Sequence, residues 1–228
     1  MQFLRRGENP NLLIGIFMLL LLAFLAGPNT LPRIVADIVP DYVFSGVPCD
    51  WLRRSDDRAR HQSLLGRRVT NPFELTVDSS AIPLEGSGSL TIRITIRNNS
   101  LGTVPLIYNP NQIMVGDNGT TGMGIIFSNT NSLNGIFPPR APDPASFPES
   151  DVRLLGPRQS CVVTISIPAG NVLIDPVLTS GTAEVRAYYR SNARGAITPG
   201  GGVVIYPDQG LWQGFVQSAP TVIGRAGV

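Results

Sequence analysis

The chain has 228 residues and a formal net charge of +2, and only 15% of its residues are charged, against about 25% in ordinary soluble domains. All 18 basic residues are arginine, which excludes Schiff-base, P-loop and lysine-base chemistry, and so small a net charge gives no reason to invoke nucleic acid. The 24 glycines and 20 prolines point to a turn-rich β protein, with length for one substantial domain or two small ones.

Residues 1–9 are polar or mixed, and Leu12 to Gly27 is an uninterrupted apolar run. Asn9 suits an N-cap and Pro10 a first helical residue, because proline's missing N–H is unneeded there. A helix is therefore expected from Pro10 to Ala26, ended by Gly27-Pro28. A membrane span needs about 20 apolar residues, with about 17 near the lower limit, so residues 10–27 are read as a single transmembrane anchor. Arg5 and Arg6 favour a cytoplasmic N-terminus. The rival reading, a cleavable signal peptide, wants small residues in an A-x-A-like pattern. Instead Phe24 stands two places before Ala26, and Leu21 two before Ala23.

Residues 28–70 read as a juxtamembrane linker with helical pieces. Leu31, Ile34, Val35, Ile38 and Val39 recur at helical spacing and make a one-sided apolar stripe, which Pro40 ends. Leu31, Ile34 and Ile38 are candidate contacts for neighbouring membrane helices or lipid; packing under the chain's own domain is the alternative. Asp50 to Arg68 concentrates arginine around Asp50, Asp56 and Asp57. It reads either as a solvated linker helix laced with ion pairs or as a patch for anionic headgroups or an acidic partner. His61, the only histidine, has no neighbours at metal-ligand spacing. Cys49 and Cys161, the only cysteines, are a candidate disulfide in an oxidising compartment; two buried thiols are the alternative.

From residue 71 the period becomes two. Leu90, Ile92, Ile94 and Ile96 alternate with Thr91, Arg93, Thr95 and Arg97, which is a strand with one buried face. Further strands are expected at Pro72–Asp78, Leu106–Tyr108, Gln112–Val115, Gly124–Phe127, Cys161–Ile167, Ala183–Tyr189, Val203–Tyr206 and Gly214–Val222. Short strands separated by Gly, Pro and Asn clusters are the pattern of a two-sheet sandwich. The runs SLTIRITIRNNSLGTVPL, LLGPRQSCVVTISIP and AEVRAYYRS resemble bacterial extracytoplasmic Ig-like domains. In those, a strand ending in Asn precedes a turn, and an L-x-P-G-x-S step enters a later strand. Here the step reads Leu155-Gly156-Pro157-Arg158-Gln159-Ser160, with Gly and Pro exchanged. The resemblance implies the fold, an Ig-like antiparallel β-sandwich over residues 71–228 with a C-terminal tail, and carries no functional residues across.

Two loops stand out. Gly116 to Gly124 is glycine-rich but lacks the Lys-Ser/Thr of a phosphate loop and the carboxylates of a calcium loop, so a hairpin turn is expected. Ser128 to Ser150 is rich in proline. Because proline-rich segments lose little entropy on binding, Phe137, Pro138, Pro139 and Phe147 are candidate partner contacts, unless the phenylalanines fold back onto their own domain. No motif points to catalysis, metal or any other cofactor. The expected function is that of a non-catalytic, single-pass accessory subunit of a larger membrane complex, a respiratory or photosynthetic electron-transfer complex being one host of that kind. It would sit in the cytoplasmic membrane with its β domain on the periplasmic or extracellular side, contacting lipid and other membrane subunits. The alternative is a free-standing cell-surface or secreted Ig-like binding or adhesion module.

Overall fold

The structure, a computed structural model, describes residues 14–18, 21, 47–54, 71–83, 88–128, 142–169, 177, 179, 181–196 and 208–225. The chain divides into two compact units, Met1–Pro40 and Asp41–Val228. In the first, residues 14–18 and 21 are helical, and Ile14, Ile16, Phe17, Met18 and Leu21 are exposed. Among the described residues no helix is long and apolar enough to cross a membrane. The ends of the expected anchor, the Leu31–Val39 stripe, His61 and the Val203–Tyr206 strand lie outside the described residues.

The second unit is mainly β, and its described strands are β1 (Arg53–Arg54), β2 (Phe73–Ser79), β3 (Ser89–Asn98), β4 (Val104–Ile107), β5 (Met114–Val115), β6 (Gly122–Phe127), β7 (Val152–Leu155), β8 (Ser160–Pro168), β9 (Thr182–Ser191), β10 (Gly214–Gln217) and β11 (Thr221–Gly224). One sheet has the order β2-β3-β8; a second runs β10-β9-β6-β5, with β11 also on β9; a small third sheet is β1-β7-β4. β3 follows the alternation of its sequence, with Leu90, Ile92, Ile94 and Ile96 buried and Arg93 outside. Each such side chain contributes about 1.5–3 kcal/mol when fully buried. Their partners in a single core come from both large sheets: Leu75 and Val77 of β2, Val163, Ile165 and Ile167 of β8, and Ile125, Phe127, Val185 and Tyr189 of β6 and β9. That shared core makes the arrangement compatible with a β-sandwich.

Four details depart from the sequence reading. The expected C-terminal strand is split: between the pairs Gln217↔Tyr188 and Thr221↔Val185 it advances four residues against three on β9. This is a β-bulge, where Ser218 donates its N–H to Ala187 and accepts the Ala187 N–H on its hydroxyl. β7 was not foreseen, because all four of its residues are buried and no alternation marks it. The Gly116–Gly124 loop is not a hairpin turn, since β5 and β6 run parallel. Asp117 fixes that loop by pairing with Arg190 and accepting the Gly119 N–H. Finally, Pro157 occupies the second place of a turn closed by Gln159 N–H to the Gly156 carbonyl, and Arg158 the third, with φ 56°. Arg158 thus stands where the Ig-like step carries glycine; Gly and Pro are not exchanged. A left-handed conformation costs a residue with a Cβ about 1–2 kcal/mol.

Asn98, at the end of β3, is fully buried. Its amide nitrogen lies 2.7–3.0 Å from the carbonyls of Gly102, Leu155 and Gly156, and its oxygen accepts the Ser100 N–H and hydroxyl. One side chain therefore joins the turn after β3 to the step between β7 and β8, a physical reason for the two sequence signals to occur together.

Candidate functional site

β8 is the outer strand of its sheet, and a groove of about 530 Å³ runs beside it, lined by Pro48, Asp50, Arg93, Tyr108, Pro110, Ile113 and Val162–Thr164. Three separate pieces of chain make it. The first is the short 3-10 turn Cys49–Trp51, held by a disulfide from Cys49 to Cys161 at the start of β8. Just before that turn, Val47 and Pro48 lie parallel to β8, with the Val162 N–H donating to the Val47 carbonyl. Asp50 follows on the groove wall, and Trp51 beyond it is 78% exposed. The second piece runs from Tyr108 to Ile113, where Asn109 caps the 3-10 turn Pro110–Gln112 by accepting the Asn111 N–H. The third is the outer face of β3, where Arg93 stands opposite Thr164.

Tyr108 is buried, and its phenol is pushed up to about 12, first by burial and then by the charge of Asp50, with Arg153 partly opposing. It is therefore a neutral phenol at ordinary pH, an apolar ring with a polar tip rather than a base. Arg153, in the middle of β7, is itself only 5% exposed and donates to the Ser150 carbonyl. Asp50 is the groove's carboxylate and Arg93 its cation. The lining mixes rings, prolines and aliphatic side chains with one charge of each sign, which suits recognition of a mixed-polarity surface.

Of the residues singled out in the sequence, Cys49 and Cys161 are brought together here. Phe147 is 7% exposed and packs with Ile107, Val152 and Leu211. Gln209 holds its backbone from both sides, accepting the Phe147 N–H and donating to the Phe147 carbonyl, each at 2.9 Å. Phe147 is thus folded onto its own domain and does not present its ring to a partner. Phe137, Pro138, Pro139, Leu31, Ile34 and Ile38 lie outside the described residues. Asp50, Tyr108 and Pro110 were missed as a group, because no short-range pattern links them. The available signal was the cysteine pair, since bonding Cys49 to Cys161 necessarily sets Pro48 and Asp50 against β8.

Compared with protein-family models, curated proteins and solved structures, the chain matches none.

Proposed function

We propose that the protein is a non-catalytic accessory subunit of a larger membrane protein complex, anchored by one helix over residues 10–27, with its β domain outside the cytoplasmic membrane contacting partner subunits. The observation that carries this reading is the row of exposed apolar side chains at Ile14, Ile16, Phe17, Met18 and Leu21 on helical residues, within an apolar run of the right length for lipid. The Cys49–Cys161 bond supports an oxidising compartment. The β domain is read as Ig-like from its strand order. Sheets β2-β3-β8 and β6-β9-β10 follow the first, second and fifth strands and the third, sixth and seventh strands of an Ig sandwich. β7 departs from that order by pairing with β4 instead of β8.

Gentle detergent solubilisation, native-gel separation and mass spectrometry of the band test the reading. Co-migration with other membrane subunits, with peptides from residues 1–27 retained, is the expected result; coloured cofactor-bearing subunits in the band would identify an electron-transfer host. A lone monomer or small homo-oligomer, especially one that begins after Gly27, would overturn it in favour of a surface module.

A further inference from the structure

The loop between β5 and β6 contains Asn118-Gly119, an asparagine followed by the one residue type whose amide no side chain shields. Both residues are exposed, and a Cβ placed on Gly119 would meet nothing within 4 Å. Two side chains fold back onto this peptide in successive Asx turns. Asp117 accepts the Gly119 N–H on Oδ1 at 2.9 Å, and its ion pair with Arg190 of β9 fixes its aim. Asn118 Oδ1 accepts both the Thr120 N–H, at 3.1 Å, and the Thr120 hydroxyl, at 2.7 Å. Asn118 Nδ2 has no hydrogen-bond partner among the described residues.

Two other asparagines make the same kind of turn and lack one requirement or another. Asn98 Oδ1 likewise accepts the N–H and hydroxyl of the residue two places on. However, Asn98 is fully buried, three carbonyls engage its Nδ2, and the next N–H, that of Asn99, donates to Pro72. Asn109 accepts the Asn111 N–H, but Pro110 follows it and has no N–H. Of the three, Asn118 alone combines access to water, an unheld amide nitrogen and a neighbouring N–H already bonded to a carboxylate.

We propose that Asn118-Gly119 is a self-modification site, where the loop closes a succinimide ring with Asp117 as base and Thr120 as oxyanion donor. The Gly119 nitrogen attacks Asn118 Cγ, a C–N bond forms, and the N–H proton passes to Asp117. The electron pair of the side-chain carbonyl moves onto Oδ1, where the Thr120 N–H and hydroxyl hold it. As that carbonyl re-forms, the Cγ–Nδ2 bond breaks, and Nδ2 leaves as ammonia with the proton that Asp117 took up. Water then opens the ring at either carbonyl and leaves aspartate or isoaspartate at position 118. In sum, one amide and one water give one acid and one ammonia. A general base must lie within about 2.6–3.2 Å of the atom it deprotonates. Oxyanion donors belong about 2.7–3.1 Å from the oxygen that becomes charged. The loop meets both conditions. Either product adds a carboxylate beside the Asp117–Arg190 pair. Isoaspartate also lengthens the backbone next to Gly119, whose carbonyl accepts from Asn192 just after β9. The modification thus alters both the charge of this loop and its ties to β9, and it is independent of the accessory-subunit reading.

The test incubates the full-length protein in mild detergent at neutral pH, beside a synthetic peptide of residues 113–123 in the same buffer. Trypsin, which in this lysine-free chain cuts only after arginine, releases residues 98–140 as one fragment. Tandem mass spectrometry then locates each amide converted to an acid, and an isoaspartate methyltransferase assay counts the isoaspartate. Asn118 in the folded protein is expected to convert at least about tenfold faster than in the peptide, while Asn98 in the same fragment stays intact. Asp117→Asn and Thr120→Val should each slow conversion by about tenfold or more, and Thr120→Ser should restore it. Conversion no faster in the folded wild type than in the peptide would overturn the proposal and show that the same bonds restrain the loop. That comparison needs no variant to fold. Conversion of both Asp117→Asn and Thr120→Val at the wild-type rate would overturn it equally.

Discussion

At Tyr108, burial and the neighbouring carboxylate of Asp50 both favour the neutral phenol, and only Arg153 works against them. The folded-state value of about 12 lies above the ordinary 10.0. Between those values the unfolded chain releases its proton first and binds fewer protons than the folded one, so stability falls as pH rises. The contribution is fully present below pH 10 and is lost as pH climbs through the folded value. Two pKa units correspond to about 3 kcal/mol. Denaturant titrations at about pH 9 and about pH 11.5 should show wild type losing about 2 kcal/mol more than Tyr108→Phe. Identical slopes for the two proteins would mean that other groups set the alkaline limit. The same substitution keeps the ring in the groove and so separates its polar tip from its apolar body.

Among the elements, the corner at Asn98 is where two distant connections are tied together. Asn98→Ala leaves the Leu155 carbonyl and its neighbours without their donor in a buried place, and each such loss costs about 1–3 kcal/mol. A loss of about 3 kcal/mol is expected by chemical denaturation, with Asn98→Asp no better, because a carboxylate cannot donate to those carbonyls. The element scale also shows what the sequence made legible. β3 and β8 announce themselves because each has one core face and one wet face, so chemistry alternates with geometry. β7 does not, because that strand is covered on both sides and its arginine is buried. The parallel pairing of β5 and β6 was hidden for another reason: the glycines that would permit a hairpin also permit a crossover. At Gly124 a Cβ would lie 2.5 Å from the Met114 carbonyl oxygen and 2.7 Å from the Tyr188 ring. That crowding depends on residues far along the chain, and no local pattern encodes it. The groove was illegible on the same principle, being assembled from Asp50, Arg93, Tyr108 and Val162.

For the molecule as a whole, the Cys49–Cys161 bond closes a loop across a sequence separation of 112. In the chain-entropy description such a loop stabilises the fold by about 4–5 kcal/mol. The Cys49→Ser, Cys161→Ser double variant should lower the denaturation free energy by several kcal/mol, read from urea midpoints with and without a reductant. A variant as stable as wild type would show that the core alone holds the first segment in place. The bond also has a bearing on timing. Pro48 and Asp50, which form one wall of the groove, flank the cysteine that fastens them to β8. While the thiols are reduced nothing covalent holds that wall, so the groove's first side is covalently set only in the oxidised chain.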